Sequence, residues 1–515
     1  MNTKVKVNPW WIAVSVMLGT FMEVMDTSIT NVALQHIAGS LSVSSDDATW
    51  VITTYLISNA IVIPSTAWFG QKFGRKRFLV TCVGVFTVAS FFSGLATSLP
   101  TLLFWQIVMG AGGGALQPIA QAVLFESFPK EKHGQAMAVY SMGIVMGPIL
   151  GPVLGGWITD NYSWRWIFFI NLPVGALAIM LMRKFIQDPP WVADSKPPRL
   201  DIIGFAFMSL WLGCQEVMLD KGQEDDWFGS PFITYMAILA AIGFVVFIVR
   251  ELMVKRPFVD LRVLKNYNFR LGVGLMFFGG VLLYGITLII PLFLQSLLGY
   301  TATLSGYAMI SRGVGAFVAI MITGRLIGRI PGRYIVAAGF LISALSSLAL
   351  TRITLDISWQ SLVWPVFFTG AGVGVMLVAL NTLTFSMLKP EEMGNASGVF
   401  NLMRNLGGSV GISLVTTLID RRAQTHQTFL VGHATPYDPA YQSSLKVMTS
   451  ALAGHSGHVY GAEQALGALY NKVLGQAYLL AYLDNFYVLT AVSILCVTGA
   501  LFFKRAKSKG PVAVH

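Results

Sequence analysis

The sequence predicts an all-α membrane protein of 14 transmembrane helices in a 6+2+6 order, on three observations. The first is composition: of 515 residues, 55% are hydrophobic and 11% charged, where a soluble globular chain carries about 25% charged residues. No single water-bounded core hides that much apolar surface, and a disordered or fibrous chain is excluded by the same figures. The second is length patterning. Apolar runs of about 20 residues, enough to cross a hydrocarbon layer, recur fourteen times. The third is internal repetition: GAGGG at 110–114 returns as GAGVG at 370–374, 260 residues later.

The first six spans fall at 11–33, 48–69, 78–98, 101–125, 135–158 and 166–186. The opening run follows only MNTKVKVNPW and is too long for a cleaved signal. It reads as an uncleaved anchor with Trp10 and Trp11 at the interface. The Pro-rich stretch QDPPWVADSKPPRLD then leads to an inserted pair at 202–219 and 232–252. Six more spans lie at 271–298, 303–327, 334–351, 362–387, 397–419 and 478–503. The expected organisation is therefore an N-terminal half (1–188), a linker with the inserted pair (189–256), and a C-terminal half (257–515). The last half contains an outside loop, 420–477, whose Gly- and His-interrupted helix formers predict short amphipathic helices.

Lys and Arg orient the chain. With the N-terminus inside, inside segments and their flanks hold 26 of the 35 basic residues and outside segments hold 7. The remaining two, Arg312 and Arg404, lie within spans. That bias predicts both termini in the cytoplasm. It also accounts for the net charge of +11 without nucleic acid. The cysteines Cys82, Cys214 and Cys496 sit singly in apolar runs, so neither a disulfide framework nor a Cys-based metal site is expected.

The repeat extends beyond the glycines. Gly134, Ala136, Val139 and Gly147 match Gly394, Ala396, Val399 and Gly407 at the same offset of 260. Duplicated halves in a many-span protein point to a transporter with its site between the halves near the midplane. No GxxxxGK[ST] phosphate loop is present, which leaves an ion gradient as the energy source and no cofactor. Gly110–Ala115 fits GxGxxA, but it lies in an apolar span with no strand before it. GxxxG packing is the better reading.

A proton-coupled carrier needs a titratable group within the membrane. Asp26 and Glu23 are the candidates, Asp26 foremost. They stand three residues apart in the first span and are expected to share a face. Arg404 and Arg312 are the buried cations and should face the interior with partners. Asn31, Gln117, Gln121, Asn381 and Asn401 are polar groups inside spans, candidates for the cavity wall or for helix-to-helix hydrogen bonds. Tyr55, Phe277, Tyr284, Phe293 and Phe400 are candidates for stacking on a flat substrate. Glu126, Glu216, Asp220 and Asp484 are expected at solvated span ends.

Five segments carry a family resemblance: MDTSITNVAL around Asp26, GIVMGPILGPVLGG at 143–156, WRWIFFINLPVG at 164–175, LDKGQEDDWF at 219–228 and PFVDL at 257–261. The chain resembles the fourteen-helix drug:proton antiporters of the major facilitator superfamily, the EmrB/QacA branch. The resemblance implies the major facilitator fold and export of hydrophobic or amphipathic compounds from the inner membrane in exchange for protons. It identifies Gly143, Gly147, Pro148, Gly151, Pro152, Gly155 and Gly156 as the antiporter motif. It identifies Gln71, Gly74, Arg75 and Lys76 as the cytoplasmic gate loop. It further implies a periplasmic adaptor and an outer-membrane channel as partners of the outside loop; the loop's equal alternative is a lid. Two charges usual in the family are replaced, by Gln71 in the gate loop and by Gln106 in the fourth span. The other readings of such a chain are a dedicated exporter of a metabolite, siderophore or lipid, or a channel or receptor.

Overall fold

The computed structural model describes residues 8–188, 201–254, 257–435, 437–456 and 458–504. The linker core at 189–200 and the basic tails before Asn8 and after Lys504 lie outside the described residues. Among those described, 14 helices are long and apolar enough to cross a membrane. Among the described residues no strand forms beyond an isolated bridge between Ile327 and Ile330.

The N-terminal half contains α1 (Pro9–Leu41), α2 (Ser45–Phe73), α3 (Arg75–Gly94), the broken span α4 (Leu99–Gly113) and α5 (Leu116–Ser127), α6 (His133–Asn161), and the short α7 (Trp166–Phe169) running into α8 (Asn171–Phe185). The inserted pair is α9 (Ile202–Lys221) and α10 (Pro231–Met253). The C-terminal half contains α11 (Tyr267–Leu292), α12 (Ala302–Leu326), α13 (Gly332–Leu350), α14 (Trp359–Phe385), α15 (Met393–His433), α16 (Pro439–Ser456) and α17 (His458–Leu501).

Local chemistry sets the ends. The Asn8 side chain accepts the Trp10 amide at 3.1 Å, and Pro9 occupies a first-turn position where no amide partner is needed. Between α2 and α3, Gly74 turns the chain at φ +83°, a left-handed conformation that a side chain disfavours. The Asp188 carboxylate then accepts the Lys76 amide at 2.8 Å, occupying the positive end of α3.

The segment 420–477 differs from its expectation. Residues 420–433 continue α15, residues 458–477 open α17, and only α16 is a separate helix. At 41 and 44 residues, α15 and α17 run roughly 60 Å, twice the hydrocarbon thickness of about 30 Å. The physical reason is cooperativity. A spanning segment already nucleates the helix, and DRRAQTHQTFLVGH adds only propagation steps with no proline to stop them.

The repeat is visible in the packing. Within the N-terminal half α6 lies on α1, and within the C-terminal half α15 lies on α11, where a Cβ at Gly411 would stand 2.7 Å from Val281 Cα. Across the halves the same two helices exchange partners. A Cβ at Gly313 of α12 would stand 2.5 Å from Ile149 of α6, and one at Gly398 of α15 would stand 3.3 Å from the Ile63 carbonyl of α2. Small residues let these backbones approach where no water drives them together. The inserted pair packs on the flank of this core, where Met208 and Leu212 of α9 and Phe247 of α10 are buried. Asp201 holds Arg250 at 3.1 and 3.2 Å and ties α9 to α10, while α10 turns Ile238, Ile242, Val245 and Val249 outward.

Candidate functional site

A cavity of about 630 Å³ lies between the halves, within the range of drug-sized ligand sites. It occupies the part of the bundle away from the termini: α1 contributes Glu23 through Gln35, its distal stretch, and α2 contributes Ile52 through Ala60, its proximal one. Of the residues expected to line it, Asn31, Tyr55, Gln117 and Tyr284 do so.

Its floor is a polar chain that crosses from one half to the other. Gln117 donates to one Glu23 oxygen at 2.5 Å and Asn59 donates to the other at 3.2 Å. Arg404 of α15 donates to the Gln117 carbonyl oxygen, and Asn405 donates to Asn59 at 3.3 Å. Glu23 and Arg404 are thus linked through one amide side chain rather than paired directly. Arg404 is 1% exposed, with the Tyr140 and Tyr284 hydroxyl groups beside it. The partners come from α1, α2, α5 and α15, so the chain closes across the halves only when they are docked as they are here.

Asp26 takes another direction. It is 2% exposed and absent from the cavity wall; it accepts from Asn171 of α8 at 2.5 Å, and Asn171 also donates to Ser90 of α3 at 3.0 Å. Asp26 and Glu23 stand near enough on α1 to interact, as expected, yet their side chains take different partners. Three residues turn a helix through 300°, and the residual 60° suffices to send Glu23 toward α2 and α5 and Asp26 toward α3 and α8. Arg312 is buried too, but it donates to Thr287 at 2.5 Å and to the Leu283 carbonyl at 3.1 Å, both within its own half.

Six further residues expected at the cavity or against its substrate lie beneath it or beside it. Gln121 donates to Asn381, and Asn401 donates to Gln121 at 2.9 Å. Gln121 and Asn381 are repeat-related, 260 residues apart, and meet where the halves face each other. Toward the termini, Phe400 and Phe125 pack on Phe385 with centroids at 5.2 and 4.9 Å. These groups close the terminus-bearing end, so Gln121, Asn381, Asn401 and Phe400 are sealing residues in this conformation. The Phe277 carbonyl presses on Gly407 and its ring on Phe278, while Phe293 packs against Tyr482.

The glycine motif of α6 divides between two faces. Cβ atoms at Gly143, Gly147, Gly151 and Gly155 would stand 2.9, 2.8, 2.6 and 3.3 Å from α1 atoms, whereas Gly156 meets nothing within 4 Å. Pro148 and Pro152, one position on, line the cavity. The motif therefore presents a tight seam to α1 and a proline-stiffened wall to the cavity. In the loop expected to gate, Arg75 pairs with Glu126, the two side chains 9% and 6% exposed, and Lys76 Nζ donates to the Arg183 carbonyl at 2.6 Å.

Sequence reading missed Asn59 and Asn171, each a lone amide in an apolar run, and Asn405, beside the more conspicuous Arg404, and it misplaced Glu216. That glutamate is no solvated span end: it is 5% exposed, lines the cavity, and accepts from Ser409. Its signal was an acid with a full turn of α9 still to follow. Asp220 meets Thr53, and Asp484 holds Arg422 and His426 at 2.9 Å each.

Two helical bundles related by repetition, exchanging helices across a central cavity with a buried acid and a buried arginine at its floor, define a membrane transporter. Residues 16–412 match the Major Facilitator Superfamily, and the chain belongs to that family. It is 34% identical over 470 residues to the fatty acid resistance protein FarB of Neisseria gonorrhoeae, covering 91% of each chain. It is 35% identical to the multidrug export protein EmrB of Haemophilus influenzae, over 83% of each, and 32% identical to that of Escherichia coli K12, over 96% and 94%. Among solved structures, the proton:xylose symporter XylE aligns with TM-score 0.58 at 14% identity, over 92% of this chain and 94% of that one. The human organic anion transporter MFSD10 aligns with TM-score 0.56 at 13% identity, over 93% and 99%. At such identities these two speak for the fold alone.

Proposed function

We propose that the protein exports hydrophobic or amphipathic compounds across the inner membrane in exchange for protons, by alternating access of its two halves. The observation that carries this reading is the chain Glu23–Gln117–Arg404 at the cavity floor, which joins the halves through an ionisable group. A carboxylate whose surroundings alternate between water and packed protein changes its affinity for a proton. With the termini in the cytoplasm, as the basic-residue bias predicts, the cavity faces outside. Glu23 loads a proton there as substrate leaves. The neutral acid holds Gln117 less firmly, and Gln117 in turn holds Arg404 less firmly, so the halves are freed to rock. On the cytoplasmic side the proton departs and substrate enters. Glu23, facing the cavity, carries the proton in this scheme, and Asp26 positions α1 against α8. The relatives named for multidrug export and fatty acid resistance support an exporter of apolar cargo.

The extensions of α15 and α17, with α16 between them, are the surface offered to a periplasmic adaptor and, through it, to an outer-membrane channel. Phe429, Val431, Tyr437 and Tyr470 are exposed there, beyond the reach of the bilayer. The exporter reading is tested in vesicles holding the purified protein. An imposed pH gradient should drive uptake of an amphipathic dye that collapses when the gradient is dissipated. Dye movement indifferent to the gradient removes the coupling.

A further inference from the structure

The inserted helix α9 brings a carboxylate into the cavity that the exchange scheme leaves unused. Glu216 is 5% exposed, and both its oxygens face one hydroxyl, Ser409 Oγ, at 2.9 and 3.0 Å. A hydroxyl has one proton to give, while an ionised carboxylate has about four lone-pair sites to satisfy. The other ionised groups near it do not help. Asp220, one turn further along α9, is itself acidic and held by Thr53. Lys221 is turned to Glu224 at 2.6 Å and to the Asp46 carbonyl at 3.2 Å.

The rest of the cavity is consistent with one kind of occupant. Among the described residues that line it there is no Lys, Arg or His; its ionisable side chains are Glu23, Glu216, Tyr55 and Tyr284. Glu23 already has two amide donors and a link to Arg404. Glu216 has no cation. Burial disfavours an ionised carboxylate that lacks a counter-charge, and a cavity of about 630 Å³ has room for a molecule that supplies one. Aromatic faces at Tyr55 and Tyr284 suit the same ligand, because ring quadrupoles attract cations.

We infer that Glu216 of the inserted pair is the counter-ion of an organic-cation subsite in the cavity, taking the positive end of an amphipathic substrate while the apolar wall takes its body. The inference rests on the cavity being the transport site. It also gives α9 a part in recognition, since it reaches Ser409 of the C-terminal half while lying along α2 of the N-terminal half.

The test is equilibrium binding to the full chain in detergent, without any gradient, so that failure of the exchange scheme leaves the result readable. The probes are tetraphenylphosphonium and its neutral relative triphenylphosphine oxide. Loss of the counter-charge in E216Q should weaken tetraphenylphosphonium binding about tenfold or more and leave the neutral probe unchanged. Equal tetraphenylphosphonium affinity in wild type and E216Q overturns the subsite. Should E216Q lose both probes, E216D decides. Recovery of tetraphenylphosphonium binding over the neutral probe upholds the counter-ion, and continued loss of both assigns Glu216 to holding α9 in place.

Discussion

Replacing Glu23 by glutamine tests the exchange scheme at its centre. The substitution keeps shape and one acceptor, so Asn59 retains its partner at the 3.2 Å position. The other oxygen becomes an amide and faces the Gln117 amide, donor against donor, where a 2.5 Å bond stood. One hydrogen bond to a charged group, about 1.5–3 kcal/mol, is lost. If Gln117 rotates to recover it, Gln117 turns its carbonyl away from Arg404. That is small beside a typical stability of about 5–15 kcal/mol, so the protein should fold. The functional loss is larger in kind. A pH difference of one unit stores about 1.4 kcal/mol per proton, which a one-for-one exchanger converts to a tenfold substrate ratio. Glutamine carries no exchangeable proton, so in vesicles with a one-unit gradient the ratio should fall from about tenfold to one, with dye binding kept. Asp26→Asn retains an acceptor for Asn171 and should keep most of the ratio. A Glu23→Gln protein that still sustains a tenfold ratio refutes the reasoning, and a dead Asp26→Asn beside it would return the proton to Asp26.

Cysteines at Gln121 and Asn381, in a background freed of Cys82, Cys214 and Cys496, should be joined by a short bis-methanethiosulfonate reagent, because the tips of the native side chains meet and the shorter cysteines leave a gap for it to span. The bridge should stop transport until it is reduced; free transport in the cross-linked form would show that the seal need not open. Gly151→Val should abolish transport and lower the melting temperature, because its Cβ would stand 2.6 Å from Ser28. Gly156→Ala, with nothing within 4 Å, should do neither. For Asp201, burial works upward, but the Arg250 hydrogen bonds and the Gly204 amide outweigh it and hold the carboxyl below its usual range. A depressed carboxylate stabilises the fold above its unfolded value of about 3.9 and ceases to as pH falls through the folded one. The melting-temperature gap between wild type and Asp201→Asn should therefore be full at pH 6 and shrink below about pH 4. A gap constant with pH would mean that the charge of Asp201 contributes nothing.

Some of this was legible before any coordinates. Apolar length makes a span whatever its neighbours are, because a helix is the structure that satisfies its own backbone in lipid. Hence the fourteen helices, the repeat and the seam glycines of α6 could be read from residue order alone. So could the candidacy of the two acids on α1 and of Arg404, since a charge among twenty apolar residues is conspicuous in a string. What a string lacks is azimuth and distance between helices. Glu23 and Asp26 differ by 60° around α1, and which of them meets the cavity depended on where α2, α5 and α8 stand. Gln121 and Asn381 read as cavity amides until the pseudo-symmetric docking set them opposite each other as a seal. Glu216 looked like a solvated span end until α9 was found lying on α2 with its acid turned toward Ser409. Local rules decide which segments are helices and where they stop. The meaning of each polar side chain waits on its partners, which are hundreds of residues away and become neighbours only when the halves pack.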